Sequence, residues 1–173
     1  MKAGLHFVAV IVAVVFAVLA ASIFTVDQRQ FAIVFQLGEV REVIAKPGLY
    51  FKLPLIQNVR YFDNRILTLD STEPERFITS EKKNVLVDSF VKWKIVDPKL
   101  YYISVDGVEA RAKTRLSQTV NAGLREEFGK RTVHDVVSGE RDKIMEQMRE
   151  KADFDARKIG VEIVDVRVKR VDL

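Results

Sequence analysis

From Phe7 to Ser22 the chain reads FVAVIVAVVFAVLAAS, without a charge, and no other stretch restricts the fold as strongly. As a helix, Ala3 to Val26 would extend about 36 Å at 1.5 Å per residue, enough for a ~30 Å hydrocarbon core with some tilt. A charge near its middle would cost roughly 2.5–3.5 kcal/mol on insertion scales, and none is there; His6 sits in the first turn, within reach of headgroups. Residues 3–26 are therefore expected to be a transmembrane anchor. The rival reading is a cleaved signal peptide and a secreted domain, because Lys2 precedes the apolar run and Val18-Leu19-Ala20 or Ala20-Ala21-Ser22 would serve as a small-residue cleavage site. The anchor is preferred, since the run exceeds the usual signal h-region and Ile23-Phe24 carry it past those sites. Lys2 and the free amine stand on one side and Arg29 and Arg41 on the other, so charge decides little, and the N-terminus is expected in the cytoplasm.

With the anchor set aside, the remainder is soluble-like, holding all of the acidic residues and every basic residue but Lys2. Over the whole chain, 28 Lys and Arg stand against 24 Asp and Glu, a net charge of +4. The charges are interspersed, with basic runs no longer than pairs such as Lys82-Lys83 or Lys169-Arg170. That is a mixed surface and not a nucleic-acid stripe, so no nucleic-acid partner is expected. A mildly basic face held near anionic lipid headgroups suits it better.

Gln30 to Gln36 (QFAIVFQ) and Val40 to Ile44 have strand composition around Leu37-Gly38, and together predict a hairpin. Lys46-Pro47-Gly48 is a turn signal, followed by the apolar Leu49-Tyr50-Phe51-Lys52-Leu53-Pro54-Leu55-Ile56. By composition this stretch is either a short core or edge strand ended by Pro54 or a loop that dips into a bilayer interface with Lys52 at headgroup level. Further strands are expected at Val59 to Phe62, at Ile66 to Leu69 and at Val85 to Val96. In the last of these Val85, Val87, Val91, Trp93 and Ile95 share a face that only Ser89 interrupts. Helical spacing then takes over. Val108, Ala112, Leu116, Val120, Gly123, Leu124 and Phe128 mark one helix closed by Gly129 as a C-cap, and Ile144, Met145, Met148, Ala152, Ala156 and Ile159 mark a second over Gly139 to Ile159, ended by Gly160. A final strand, Val161 to Val171, would put Val164, Val166 and Val168 on one side and Asp165, Arg167 and Lys169 on the other. Strands, two helices and a long last strand make an α+β domain.

The search for chemistry is mostly negative. With no cysteine there is no disulfide, thiolate metal site or thiol nucleophile, and no nucleotide, zinc-protease or nucleophile-elbow motif occurs. Outside the anchor the one histidine is His134, best read as a residue at a helix start near a Thr132 cap, and Ser138-Gly139-Glu140 is best read as a helix N-terminus. The carboxylates Glu73 and Glu75, Glu126 and Glu127, and Asp153 and Asp155 have basic neighbours such as Arg76, Arg125 or Arg157, so solvated faces and local ion pairs explain them. No catalytic, cofactor or metal site is expected, and assembly is favoured over catalysis.

Taken in order, these segments resemble the SPFH (Band 7) family of stomatin, prohibitin, flotillin and HflK/HflC, most closely its bacterial HflC branch. The segments are the N-terminal anchor, Gln30-Phe31-Ala32-Ile33-Val34-Phe35 with Gly38, and Pro47-Gly48-Leu49-Tyr50-Phe51-Lys52-Leu53-Pro54. They continue with Asp63-Asn64-Arg65, Phe77-Ile78-Thr79-Ser80-Glu81-Lys82-Lys83-Asn84, Val87-Asp88-Ser89-Phe90-Val91-Lys92-Trp93-Lys94-Ile95 and Gly160-Val161-Glu162-Ile163-Val164-Asp165-Val166-Arg167-Val168-Lys169. The resemblance implies one transmembrane helix (3–26) and an SPFH domain (27–173) of antiparallel strands packed with two main helices, strand-rich and membrane-proximal over about 27–78 and mixed over about 79–173. It implies a scaffold on the bacterial inner membrane with its domain in the periplasm, a hetero-oligomer with an HflK-like partner that encloses and restricts the FtsH protease, with no cofactor and no catalysis of its own. It also resolves the apolar stretch toward membrane lipids, with Leu49, Tyr50, Phe51, Leu53, Pro54, Leu55 and Ile56 as contacts. The family's coiled-coil region beyond the last strand is not among these residues, so lateral packing is expected from them and cage closure is not. Two alternatives stay open: a lipid-organising scaffold without a protease partner, and a membrane-tethered hydrolase using His134 or Ser138.

Overall fold

The computed structural model describes residues 2–70, 74–134 and 141–172, and the chain divides into two compact units, Met1–Asp63 and Asn64–Leu173. The N-terminal unit starts with helix α1 (Lys2–Ser22), one unbroken helix of 21 residues, about 32 Å long. Its described side chains are His6, 11–13 and 15–22, and among the described residues no helix is long and apolar enough to cross a membrane. The helix stops at Ser22, whose hydroxyl donates back to the Val18 carbonyl at 2.9 Å. Residues 23–26, expected to continue it, are strand β1 (Ile23–Val26). The change follows from a β-branched and aromatic tetrapeptide, Ile-Phe-Thr-Val, that finds an antiparallel partner in β4 (Gly48–Phe51).

The expected hairpin is present as β2 (Gln30–Gln36) and β3 (Glu39–Ile44), and β5 (Gln57–Asp63) lies on the other side of β2, giving the order β3-β2-β5. As the central strand, β2 is buried from Phe31 through Phe35. A small core of Phe24, Val26, Ala32, Val34 and Ile44, with Tyr50 and Val59 packed on it, joins the paired strands β1 and β4 to that sheet.

The C-terminal unit is built around β8 (Asn84–Ile95), which pairs along its length with β9 (Val161–Asp172) on one side and with β6 (Leu67–Asp70) and β7 (Glu75–Ile78) on the other. β6 and β7 belong to the C-terminal unit because they pair with β8. Every second side chain of β8 from Val85 to Ile95 is buried, including Ser89, so the alternation read from sequence is the core face of a half-covered sheet.

In β9 the expected alternation holds at Val166 and Val168 and breaks at Val164. Val161, Ile163, Val166 and Val168 are buried, whereas Val164 is exposed. Pairing runs from Lys92↔Asp165 to Trp93↔Ile163, leaving Val164 as the extra residue of a β-bulge, and a second register shift falls at Asp88/Ser89. Each bulge reverses which parity of residue faces the core.

Helices lie between β8 and β9 in sequence. The first is α2 (Pro98–Val105), not among the two helices expected. The Asp97 side chain caps it, accepting from the Leu100 N–H at 2.9 Å, with Pro98 in its first turn. The next, α3 (Glu109–Gly129), buries Ala112, Leu116, Val120, Leu124 and Phe128 as expected, but it ends on Lys130 in a right-handed conformation, so Gly129 is its last residue and not a C-cap. The third, α4 (Arg141–Arg157), buries Ile144, Met145, Met148, Ala152 and Ala156; its expected start at Gly139 lies outside the described residues. Gly160 has φ +76°, and a Cβ there would stand 2.4 Å from the Asp97 carbonyl oxygen. This close approach, with Val96 and Asp97 N–H groups donating to the Gly160 carbonyl, holds the start of β9 against the start of α2, and only glycine permits it. Trp93 packs on Tyr101 with ring centroids 6.5 Å apart, and burial pushes the Tyr101 hydroxyl up to about 12.

Candidate functional site

The apolar stretch 49–56 separates into an inward and an outward set. Along β4, Leu49 and Phe51 point away from the core and are 70% and 78% exposed. Between them Tyr50 turns inward, half-buried, its ring centroid 5.9 Å from that of Phe24 and its hydroxyl donating to the Lys46 carbonyl at 3.0 Å. Period-two alternation on a two-stranded ribbon requires this split. Across the ladder, Phe51 faces Ile23 and Leu49 faces Thr25, so the outward face continues onto β1, where Ile23 is exposed.

After Phe51 the chain turns tightly. The Ile56 and Gln57 N–H groups donate to the Leu53 carbonyl at 3.2 and 2.8 Å, and the Leu53 N–H donates to the Gln57 side-chain oxygen at 2.9 Å. Leu55 at the tip is 95% exposed, Leu53 and Ile56 are exposed, and Pro54 and Lys52 are half-buried. Thus Leu49, Phe51, Leu53, Leu55 and Ile56 form the outward apolar set, while Tyr50 and Pro54 support it. The Lys52 N–H donates to the carbonyl of Ser22, the last residue of α1, at 2.8 Å. One backbone hydrogen bond therefore ties the apolar turn to the end of the N-terminal helix.

Ile23, on this face, and Leu37, exposed at the β2–β3 turn, were not singled out by sequence. Ile23 was counted into the anchor, and only its pairing with Phe51 moves it onto the ribbon. Leu37 was read as part of a turn, where apolarity carries no signal.

The residues considered for chemistry do not converge. His134 is exposed, and Ser138, Gly139 and Glu140 lie outside the described residues. Among the described residues no group of three or more His, Cys, Asp or Glu is placed to hold a metal ion. The acidic pair on α3 divides into two roles. Glu126 is on the surface, where hydrogen bonds from Lys130 and Lys151 draw its carboxyl down to about 2. Glu127, by contrast with the solvated face expected, is buried, with Lys151 from α4 at 3.0 Å and Arg131 at 3.5 Å. The Lys151 hydrogen bond holds it below the usual carboxylate range against the opposing effect of desolvation. Both carboxyls are thus kept ionised, as suits a strut between α3 and α4; a general acid requires the opposite shift. Asp153 is likewise structural, accepting from the Ile163 N–H at 2.8 Å and from Arg157 at 2.7 Å, which fastens α4 to β9 beside its bulge.

Residues 24–173 match the model of the SPFH domain / Band 7 family. The chain belongs to that family. The family's stretch begins at β1 and takes in both units. Among curated relatives the chain is 40% identical to Protein HflC of Haemophilus influenzae, over 97% of this chain and 60% of the relative. It is 32% identical to Protein HflC of Buchnera aphidicola subsp. Acyrthosiphon pisum, over 92% of the chain and 58% of the relative. It is 34% identical to a protein of Escherichia coli K12 named Modulator of FtsH protease HflC, over 81% of the chain and 44% of the relative. The chain therefore spans 60% or less of the length of these relatives.

Proposed function

We propose that the chain is the membrane-anchoring and packing part of an HflC-like scaffold that assembles with an HflK-like partner and modulates a membrane-bound FtsH-type protease. The protease half of this reading rests on family membership and on the name of the Escherichia coli relative. The membrane half rests on the backbone hydrogen bond from Lys52 to Ser22, which ties the outward apolar turn to the end of α1. With α1 as a single-pass anchor, N-terminus cytoplasmic, Ser22 falls at the periplasmic interface of a bacterial inner membrane. The turn at 52–56 then meets the lipid boundary, a place for Leu53, Leu55 and Ile56 side chains, with Lys52 at headgroup level. About 32 Å of helix suits that span.

The role is proposed to be non-catalytic: the carboxylates above are ionised struts, and regulation would act by enclosing or excluding substrates of the protease. The test is co-purification from solubilised membranes with the tagged gene product. Recovery of both the HflK-like partner and the FtsH-type protease supports the scaffold; absence of both from a pull-down of intact complexes sinks it. A lipid-organising scaffold without a protease partner predicts recovery in lipid-rich assemblies with neither. Peptide cleavage by the pure protein, lost on His134→Ala or Ser138→Ala, would revive the hydrolase alternative.

A further inference from the structure

Leu37 combines two unfavourable features. Its φ is +52°, in the left-handed region that side chains other than Gly, Asn and Asp rarely occupy. Its side chain is also 84% exposed. It stands first in the two-residue turn between β2 and β3, before Gly38 with φ +93°, where the twist of the strands selects positive φ at both positions and Asn or Asp is the ordinary choice for the first. A polar residue would fit both the backbone and the solvent there. Leucine suits the position only if its surroundings are apolar.

Its neighbours indicate where those surroundings lie. The Leu37 N–H donates to the Ile56 carbonyl at 3.3 Å, prolonging the β2–β5 ladder one step beyond the Gln36↔Gln57 pair. Ile56 is itself part of the apolar turn. The Gln57 side chain completes the link, its oxygen accepting from the Leu53 N–H at 2.9 Å and its nitrogen donating to the Gln36 side-chain oxygen at 3.5 Å. The hairpin tip and the apolar turn are thereby held side by side by backbone and amide hydrogen bonds, all within the N-terminal unit.

We propose that the β2–β3 tip is a second insertion point, through which Leu37 enters the same lipid surface as Leu53, Leu55 and Ile56, and that Gln57 fixes the spacing of the two prongs. This rests on the membrane-contact reading above. The occupant is lipid: the tip continues directly into the turn tied to α1, and its flanking Glu39 and Arg41 carry opposite charges, so contact there is apolar and not driven by headgroup charge. Two prongs joined by hydrogen bonds also fix the tilt of the sheet against the surface, which a single loop would not.

The chain has no cysteine, so one introduced thiol gives a unique labelling site. Leu37→Cys, Leu55→Cys and Glu42→Cys, each in the full chain reconstituted into phosphatidylcholine vesicles, carry an environment-sensitive fluorophore and are read with and without bromine on the acyl chains. Insertion to the headgroup and acyl boundary predicts roughly twofold quenching at 37 and at 55, and none at Glu42, about 13 Å back along β3. The quenching at 37 should be the same when anionic lipid or high salt is added. Quenching at 55 without quenching at 37 overturns the second prong and leaves the membrane loop standing. Absence of quenching at both overturns the loop reading and this inference with it. A label at 37 that bromine leaves bright and aqueous iodide cannot reach would put a protein partner there, and also overturns it.

Discussion

The two units dispose of their large apolar side chains in opposite ways. In the C-terminal unit Phe77, Trp93, Tyr101, Leu116, Leu124, Phe128, Ile144 and Ile163 are fully buried, and ion pairs such as Lys94–Glu162 at 3.0 Å and Arg157–Asp153 at 2.7 Å occupy the surface. In the N-terminal unit a small core around Phe24 and Val34 coexists with Leu37, Leu49, Phe51, Leu53, Leu55 and Ile56 turned outward. The first arrangement also leaves Ile78 on β7, Ile103 on α2 and Phe154 on α4 exposed, but each stands on a separate element. The second leaves apolar surface that only an apolar medium or partner would cover, and its position at the end of α1 is what makes lipid the proposed medium.

Matched substitutions should separate the two patterns. The largest effect is expected from Trp93→Ala, which removes a fully buried indole and should cost about 3–5 kcal/mol in chemical unfolding. The corresponding truncation Phe51→Ala, at a side chain 78% exposed, should change unfolding by no more than about 0.5 kcal/mol. Equal losses at the two sites would erase the distinction between the units.

Next comes Glu127→Gln, expected to lower stability by about 1–2 kcal/mol at neutral pH, since it leaves Lys151 and Arg131 facing a neutral amide. The Glu127 carboxyl is held below its ordinary value, so its contribution is complete above the unfolded-state value of about 4.3 and is lost as pH falls below it. Urea titrations at several pH values should therefore show the wild type and Glu127→Gln converging in acid. A difference that stays constant down to acid pH would show that the strut is not an ionised one.

A smaller loss, about 0.5–1.5 kcal/mol, is expected for Gln57→Ala, which removes the bonds to Leu53 and Gln36. Hydrogen exchange at the Leu53 amide should speed up in that variant; unchanged exchange would mean the turn does not depend on the bridge. The smallest effect has the opposite sign. Leu37→Asn should raise stability by a few tenths to about 1 kcal/mol, because asparagine tolerates the left-handed backbone. A decrease measured in detergent would mean that Leu37 packs within the protein.

Sequence reading succeeded where one periodicity ran through a whole element. The buried parity of β8 and the faces of α3 and α4 could be read directly, because each has one covered side and its spacing records which. It failed where the deciding group belongs to another strand or helix. Val164 was placed on one side with Val166 and Val168 since nothing in VEIVDVRV announces a bulge; the bulge exists in the pairing with Lys92 and Trp93. Glu127 looked like its neighbour Glu126, and only Lys151 on α4 distinguishes them. For α2 the local signal is Asp97 before Pro98, a cap and a first-turn proline that suit the end of a strand equally well. Of the apolar surface, Leu49 to Ile56 was legible as a stretch, whereas its split into outward Leu49 and Phe51 and inward Tyr50 needed the β1–β4 pairing.

The sequence by itself determined the family, the long uncharged N-terminal run and the absence of thiol chemistry. These depend on residue identity and local spacing, which every conformation of the chain carries. Only the tertiary structure decided that the helix stops at Ser22 and yields to a strand, that β9 changes phase, and that Leu37 lies beside Ile56. Each of those outcomes is set by which backbone groups find partners far away in the sequence, and a hydrogen bond such as Lys52 to Ser22 has no trace in the residues on either side of it.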